Sequence, residues 1–238
     1  TTATSTINGS ASSQLGWSVA AAGDVNNDGY DDVVVGCPGY TSNAGRIYVA
    51  MGSATGVSTA GSPSVIGSAG SKLGYAISGA GDINGDGYDD IVVGGNTSTG
   101  RLDVYSGSST GTSATASASI VGTASSYFGS ALAGGDIDGD GYGDVIVGAY
   151  ATSTSAGYAY VYSGNATGLA TTPDSSIAGT TGGFFGAAVA LAGDVNNDGF
   201  ADVIVGEYGY SANAGLAHVF HGYSDPDGDS DGYLSSVD

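Results

Sequence analysis

The sequence predicts an all-β protein, a propeller of four blades that are each an antiparallel sheet of four strands. Three observations predict it: a repeat of nearly constant length, short apolar runs bounded by turn residues, and too much glycine for long helices. The chain has 238 residues, of which 45 are glycine. Because all-β proteins of this size commonly fold as one unit, we expect a single domain.

The repeat is clearest in an acidic stretch that occurs four times. Its copies read GDVNNDGYDDVVVG (23–36), GDINGDGYDDIVVG (81–94), GDIDGDGYGDVIVG (135–148) and GDVNNDGFADVIVG (193–206). A segment with two glycines seven residues apart precedes each copy, and a segment such as AGRIYVAMG follows it. The propeller is predicted over residues 1–222, with repeats at about 5–62, 63–117, 118–174 and 175–222, and an acidic tail follows over 223–238.

Each repeat contains four short segments with the composition of β-strands. In the second repeat they lie around SVI, YAISGAG, DIVVG and GRLDVYSG, and their β-branched and aromatic residues are bounded by Gly, Asn, Asp and Ser. No window has a sustained helical period. Four strands per repeat match one propeller blade, and a ring of blades leaves few sheet edges exposed.

The acidic stretch has the spacing of an oxygen cage for a cation. Counted from its first Asp, oxygen-bearing side chains occupy positions 1, 3, 5 and 9, and position 6 is a glycine that allows a sharp turn. With the backbone carbonyl of position 7, this oxygen-only set suits Ca²⁺ better than Mg²⁺ or Zn²⁺. Position 12 is valine instead of the glutamate of an EF-hand, so the bidentate role is assigned to position 9.

About four calcium ions are therefore predicted, one per repeat. The predicted ligands are Asp24, Asn26, Asp28, Tyr30 and Asp32; Asp82, Asn84, Asp86, Tyr88 and Asp90; Asp136, Asp138, Asp140, Tyr142 and Asp144; and Asp194, Asn196, Asp198, Phe200 and Asp202.

The alternative is that these stretches are ordinary turns, which Asp, Asn and Gly favour for backbone reasons. Four copies of the same alternation argue against it, because carboxylates this close repel one another without a cation. Position 8 drifts, through Asp31, Asp89, Gly143 and Ala201. We therefore expect Gly143→Ala, at this position, to leave calcium affinity nearly intact.

The charge of the chain restricts its partners. Three Lys and Arg residues against 23 Asp and Glu give a net charge of −20, which argues against nucleic acid and anionic lipid as partners. No apolar run is long enough to cross a bilayer, so no membrane insertion is expected. The first residues have neither a basic nor an apolar signal region, and we expect any signal peptide to have been removed.

Catalytic chemistry is not indicated. His218 and His221 are the only histidines, and at this spacing on a strand they point to opposite faces, so neither a shared metal site nor a Ser/His/Asp arrangement is predicted. No cofactor other than calcium is expected, and the protein is not predicted to be an enzyme. Tyrosines near loops, such as Tyr150 and Tyr208, could stack on sugars, although packing between blades is the favoured interpretation.

The LG or FG segment, the D-x-[DN]-x-D-G-x-x-D loop and the strand ending near GCP or GAY resemble the FG-GAP repeats of the integrin α-subunit β-propeller. The resemblance covers residues 5–222. It implies that the ligands named above lie in hairpins between the first two strands of each blade, and that the protein is extracellular or at the cell surface. Integrin heads have seven blades of which only some carry the loop, whereas all four repeats here carry it.

Two functions are predicted from these features, with a third less favoured. The first is a non-enzymatic adhesion or recognition module that binds a protein or glycan at the cell surface. The second is a structural subunit that polymerises head to tail into a fibre or sheath. The third is an accessory domain of a carbohydrate-active enzyme. The integrin ligand cannot be transferred, because it depends on partner subunits and inserted domains.

The two ends of the chain carry further expectations. The resemblance implies that the strand opening each repeat is the outer strand of the preceding blade, so residues 1–9 are predicted to complete the fourth blade. They would do so within the chain, or by N-terminal strand exchange that gives a homo-oligomer or polymer. In the tail, Asp227, Asp229 and Asp231 copy the start of a calcium loop. This is either a weak fifth site or an acidic tail, and the tail is favoured.

Overall fold

Four small antiparallel sheets, here called blades 1 to 4, form the protein in the computed structural model, which describes residues 5–58 and 64–222. Their strands are β1 (Ser18–Gly23), β2 (Asp32–Gly36), β3 (Arg46–Ala50) and β4 (Ser64–Ile66) in blade 1; β5 (Leu73–Gly81), β6 (Asp90–Gly95), β7 (Arg101–Tyr105) and β8 (Ala118–Val121) in blade 2; β9 (Ala131–Gly135), β10 (Asp144–Ala149), β11 (Tyr158–Tyr162) and β12 (Ser175–Ala178) in blade 3; and β13 (Phe185–Gly193), β14 (Asp202–Glu207) and β15 (Leu216–Phe220) in blade 4.

Each blade is a meander in which consecutive strands pair. In blade 1 the order is β1-β2-β3-β4, with Val19 opposite Val35 and Arg46 opposite Ile66. The outer strands β4, β8 and β12 come from the first residues of the following sequence repeat, as expected. The all-β architecture of blades is confirmed.

Blade 4 differs from the predicted four strands, because it has three in the described part of the chain. Residues 5–9 form no strand there, and they lie beside blade 1, where a Cβ built on Gly56 would be 3.2 Å from Ser5 Oγ. Residues 1–4 and the tail with Asp227, Asp229 and Asp231 lie outside the described residues.

Three four-residue turns occur in loops of the described residues: α1 (Tyr40–Asn43), α2 (Thr152–Ser155) and α3 (Tyr210–Asn213). They fill the connection between the second and third strands of blades 1, 3 and 4, and the corresponding loop of blade 2 is shorter. Thr41 and Ser42, the central residues of α1, have left-handed backbone with φ of 37° and 56°, so α1 is not a regular right-handed helical turn. Within the described residues, no helix has the length and apolar character needed to span a bilayer.

The core lies between the blades. One cluster joins Val34 and Ile47 of blade 1 to Ile77 and Ile91 of blade 2. A second cluster joins blades 2 and 3, and a third joins blades 3 and 4. Because strands alternate their side chains, one face of each sheet packs on the preceding blade and the other face on the next blade.

Candidate metal centres

The four acidic stretches form the hairpin loops between the first two strands of each blade, where the sequence placed them. Each loop starts as the inner strand ends, at Gly23, Gly81, Gly135 or Gly193, and it ends on the buried Asp that begins the second strand. The glycines at position 6 all have positive φ, between 88° and 97°. This is the left-handed backbone for which the sequence requires glycine.

The Asp at position 9 ties each loop to the rest of its blade. In blade 3, Asp144 Oδ2 accepts a hydrogen bond from the Ile137 N–H at 2.8 Å, and Oδ1 accepts one from the Gly164 N–H at 3.0 Å. Asp32, Asp90 and Asp202 make the same pair of bonds. Each oxygen has a second lone pair, so these bonds leave room for a cation.

Burial changes the ionisation of these carboxyl groups. It raises the pKa of Asp90 and of Asp144 to about 7, although the two backbone N–H donors on each oppose the rise and neighbouring carboxylates add to it. Burial also raises the pKa of Asp32. A bound cation favours the ionised form of such a group, because opposite charge offsets the cost of desolvation.

Side-chain oxygens at positions 1, 3 and 5 turn inward, onto the backbone of their own loop. In blade 1, Asp24 accepts from the N–H groups of Asp28 and Gly29 at 3.0 and 2.7 Å. Asn26 Oδ1 accepts from Asp28 N–H at 3.1 Å, and Asp28 Oδ1 accepts from Tyr30 N–H at 3.0 Å. Loops 2 and 4 repeat this set with Asp82, Asn84, Asp86 and Tyr88, and with Asp194, Asn196, Asp198 and Phe200.

The third loop is the most concentrated acidic cluster in the described part of the chain. Oxygens of Asp136, Asp138 and Asp144 lie within 4.8 Å of one another, while Asp140 accepts the Tyr142 N–H at 2.8 Å. Burial, reinforced by Asp140 and Asp136, raises the pKa of Asp138. The donors are all oxygens, with no nitrogen or sulfur among them, so this set fits a hard cation such as Ca²⁺.

In loops 1 and 4, an amide group partly offsets the negative charge of the carboxylates. Their position 3 is asparagine, and its amide nitrogen donates to the carboxylate of position 5, at 3.0 Å from Asn26 to Asp28 and at 2.6 Å from Asn196 to Asp198. Asp138 has no such donor to offer. Loop 3 therefore carries the strongest uncompensated negative charge of these three loops.

Position 8, where the four copies differ, is a contact between blades. Asp89 Oδ2 of blade 2 accepts the Asp24 N–H of blade 1 at 2.8 Å. Gly143 of blade 3 donates its N–H to the Asp82 carbonyl of blade 2 at 2.9 Å, and a Cβ on Gly143 would overlap the Ala80 carbonyl oxygen. Gly143→Ala would therefore strain this contact between blades, while its small expected effect on calcium affinity stays a prediction.

A buried carboxylate outside the loops was missed from the sequence. Glu207, at the end of β14, accepts hydrogen bonds from both the N–H and the hydroxyl of Thr180, and lies 2.9 Å from His218 Nε2. Burial raises the pKa of Glu207, but the bonds from Thr180 and His218 outweigh it and leave the pKa below its ordinary value of 4.5. His218 also packs against Phe185.

Aromatic side chains pack from blade to blade, as the favoured interpretation expected. Trp17 of blade 1 lies 5.3 Å from Tyr75 of blade 2, and Tyr150 of blade 3 lies 6.4 Å from Phe184 of blade 4, ring centre to ring centre. Tyr208, in contrast, stacks at 4.9 Å on Phe184 of its own blade and is 54% exposed, so it does not pack between blades.

Comparison with known proteins agrees with this geometry. The FG-GAP repeat model matches residues 15–50, and the FG-GAP-like repeat model matches residues 82–147 and 136–205. The chain is 34% identical over 188 residues to integrin alpha pat-2 of Caenorhabditis briggsae, which covers 68% of this chain and 14% of that protein. It is 35% identical over 149 residues to human integrin alpha-6, covering 60% and 13% of the two chains. It is 31% identical over 221 residues to integrin alpha-V of Gallus gallus, covering 83% and 20%. The chain thus spans a fifth or less of the length of these relatives.

Proposed function

The chain belongs to the FG-GAP repeat family, and from this premise we propose that it is a calcium-binding, non-enzymatic recognition module that acts outside the cell. The observation that carries the proposal is the inward turn of the loop oxygens in all four blades. Each loop presents a carboxylate at positions 1, 5 and 9 and an oxygen side chain at position 3, and the cluster of Asp136, Asp138 and Asp144 gathers three carboxylates within 4.8 Å.

Calcium would be held by the side chains of positions 1, 3, 5 and 9 and by the carbonyl of position 7. The ion supplies positive charge that offsets carboxylate repulsion. The protein supplies the frame: position 9 fastens the loop to the turn after the third strand, through Gly52, Gly107, Gly164 and Gly222. A filled loop would therefore hold the first, second and third strands of its blade in one geometry.

Recognition of a protein or glycan at a cell surface is proposed from the family and from the names of its relatives, which are integrin α chains. The net charge of −20 supports a calcium-rich setting and disfavours nucleic acid. A second candidate is a structural subunit that polymerises by strand exchange. It is favoured by the free edge of β15, which has no neighbour beyond β14 in the described residues.

Calorimetric titration of the chelator-treated chain with calcium tests the proposal. About four sites are expected, with dissociation constants of about 10⁻⁴ to 10⁻³ M, the range of extracellular modules. The double variant Asp136→Asn, Asp140→Asn should lose one site. Asp31→Asn, an acid-to-amide change at position 8 of loop 1, is the matched control and should keep all of them. No calcium uptake, or equal loss in both variants, contradicts the proposal.

The recognition role needs its own test. The calcium-loaded chain is applied to a glycan array and to immobilised cell-surface proteins, and the chelated chain serves as the control. Binding that requires calcium is expected. If calcium binds and no ligand is found while particle size grows to long polymers, the structural candidate replaces the recognition candidate.

A further inference from the structure

The three interfaces between blades repeat one close backbone contact. The glycine that ends the apolar run of each second strand lies against the LG or FG segment of the next blade. A Cβ on Gly94 would overlap the Gly129 carbonyl oxygen, and a Cβ on Gly148 would overlap that of Gly186. Gly36 meets the Gly74 carbonyl in the same way. Neighbouring blades therefore approach each other so closely that only glycine, which has no Cβ, fits at these positions.

A second contact accompanies it, at the start of each third strand. Gly45, Gly100 and Gly157 form parallel bridges with Leu73, Phe128 and Phe185 of the next blade. Each of these apolar side chains is buried in the interface. At each interface, therefore, two glycines and an apolar face of one blade contact an apolar side chain and a glycine carbonyl of the next blade.

Blade 4 offers the same face, and the described residues leave it open. A Cβ on Gly206 would have only Ala188 nearby, at 3.6 Å, and a Cβ on Gly215 would have only Tyr208, at 3.7 Å. Val219 is 43% exposed, whereas its equivalent Val161 in blade 3 is 8% exposed. Ile204 and its neighbours line a shallow apolar depression of about 210 Å³; its other residues are Ala188, Val189, Ala190, Gly206 and Ala217.

Blade 1 presents the complementary half at the other end of the array. No described atom lies within 4 Å of a Cβ built on Gly16, which is equivalent to Gly74 of blade 2. Val19 is 70% exposed, whereas its equivalent Ile77 is 8% exposed in the interface with blade 1. Leu15 is partly exposed, whereas its equivalent Leu73 is buried.

We infer that the open face of blade 4 binds the open face of blade 1 of a second copy of this chain. The partner is identified by continuity with the three internal interfaces, because the two open faces are the two halves of that interface. A contact of this kind joins different surfaces on the two copies, so it is heterologous and associates copies head to tail. It uses sheet faces rather than the β15 edge, and it does not depend on calcium binding or on strand exchange.

The residues of the two open faces pair as their equivalents do at the internal interfaces. Gly206 receives the Gly16 carbonyl, as Gly148 receives that of Gly186, and Gly215 pairs with Leu15 as Gly157 pairs with Phe185. Both faces are apolar where they meet. The net charge of −20 on each copy opposes association, and physiological salt screens most of that repulsion.

Sedimentation velocity of the 22.9 kDa chain at rising concentration, in calcium and physiological salt, tests the inference. The weight-average mass is expected to rise to multiples of the monomer. Gly206→Ala should weaken association by at least about tenfold, or 1.4 kcal/mol, because a Cβ there would overlap the incoming carbonyl while meeting nothing closer than 3.6 Å within its own chain. Its unfolding midpoint should match that of the unmodified chain.

A matched pair of variants tests the opposite face. Val19→Glu places a charge on the open face of blade 1 and should likewise weaken association by at least about tenfold. Val121→Glu, on the outer strand of blade 2 with the side chain 65% exposed, is the control and should associate like the unmodified chain. Mixing Gly206→Ala with Val19→Glu should restore dimers and nothing larger. The Val19→Glu copy retains an intact blade 4 face and the Gly206→Ala copy retains an intact blade 1 face, so one unaltered interface can form between them.

Three results would overturn the inference. They are an unmodified chain that is monomeric throughout, a Val121→Glu variant as weakened as Val19→Glu, and a mixture of the two face variants that stays monomeric. The last result points to a symmetric contact that needs both faces of each copy, whereas face variants that associate like the unmodified chain would point to strand exchange. None of them bears on the calcium titration, so the two proposals fail separately.

Discussion

The second strand is buried throughout in the inner blades and only on alternate residues in the end blades. All six residues of β6 and of β10 are buried, whereas partly exposed residues interrupt β2 and β14. Their sequences, DVVVG, DIVVGG, DVIVGA and DVIVGE, are nearly the same. The difference therefore comes from position in the array and not from local propensity.

The exposed side chains of the two end strands face opposite ways. Val33 and Val35 of β2 correspond to blade 2 residues that face blade 1, and Ile204 of β14 corresponds to Ile146, which faces blade 4. A continuous apolar run is typical of a strand covered on both sides. β2 and β14 thus have the sequence of strands that are covered on both faces, but in the described residues each has one face that no neighbouring blade covers.

The largest difference is expected from a matched pair of core truncations. Ile146→Ala should cost about 2–5 kcal/mol in free energy of unfolding, because the side chain is fully buried between blades 3 and 4. Ile204→Ala, at the equivalent position of blade 4, should cost about 1 kcal/mol, because water already reaches it. Denaturant unfolding of dilute protein measures both, and equal costs would show that the face of blade 4 is covered in solution.

Alanine substitutions at two equivalent glycines, Gly148 and Gly206, test the same difference between an inner blade and an end blade. Gly148→Ala should destabilise by about 1–3 kcal/mol, because the added methyl group meets a backbone carbonyl that cannot rotate away. Gly206→Ala should change stability by less than about 0.5 kcal/mol. Thermal unfolding distinguishes them. A Gly148→Ala variant as stable as the unmodified chain would mean that the blades are packed more loosely than described.

Glu207 gives blade 4 a buried charge that its counterparts Ala149, Gly95 and Cys37 lack. Since its pKa is lowered in the folded protein, it contributes stability above about pH 4.5, and that contribution is lost as the pH falls through the folded value. Glu207→Gln should cost about 1–2 kcal/mol at neutral pH and little at low pH. Unfolding measured from pH 7 to pH 3 checks this. A cost that is the same across the range would exclude the ionised carboxylate as its cause.

The smallest effect is expected at position 8. Asp89→Ala removes the acceptor of the Asp24 N–H in the neighbouring blade and should cost about 1 kcal/mol. Asp31→Ala makes the same change in blade 1, which has no preceding blade in the described chain, and should cost nearly nothing. Urea unfolding compares them, and equal effects would show that the contact between blades adds no stability.

The features that were predicted correctly from the sequence depend on residues that lie close together in the chain. The loop spacing, the glycine at position 6 and the outer strand taken from the next repeat follow from residue patterns within one or two repeats. The buried carboxylate of Asp144 was predicted as a ligand, but its second task as the acceptor for Ile137 and Gly164 depends on how the blade closes.

Contacts between blades could not be predicted in the same way, because they depend on the distance between sheets. The contact at position 8 was not predicted, although the small residues Gly143 and Ala201 in two of the four copies were a signal of close approach. Glu207 is the one glutamate in the sequence, and its register beside His218 on β15 was a signal that went unused. The three strands of blade 4 could not be foreseen, since residues 5–9 have the composition of a strand.

Diffraction from crystals grown in calcium, recorded at a wavelength where calcium scatters anomalously, tests most directly whether the four loops are calcium cages. We expect one anomalous peak in each loop, coordinated by positions 1, 3, 5 and 9 and by the carbonyl of position 7, with Asp144 and its three counterparts still bonded to their backbone N–H groups. Loops without peaks at millimolar calcium, with their carboxylates bonded only to backbone N–H groups, would show that these stretches are turns and not metal sites.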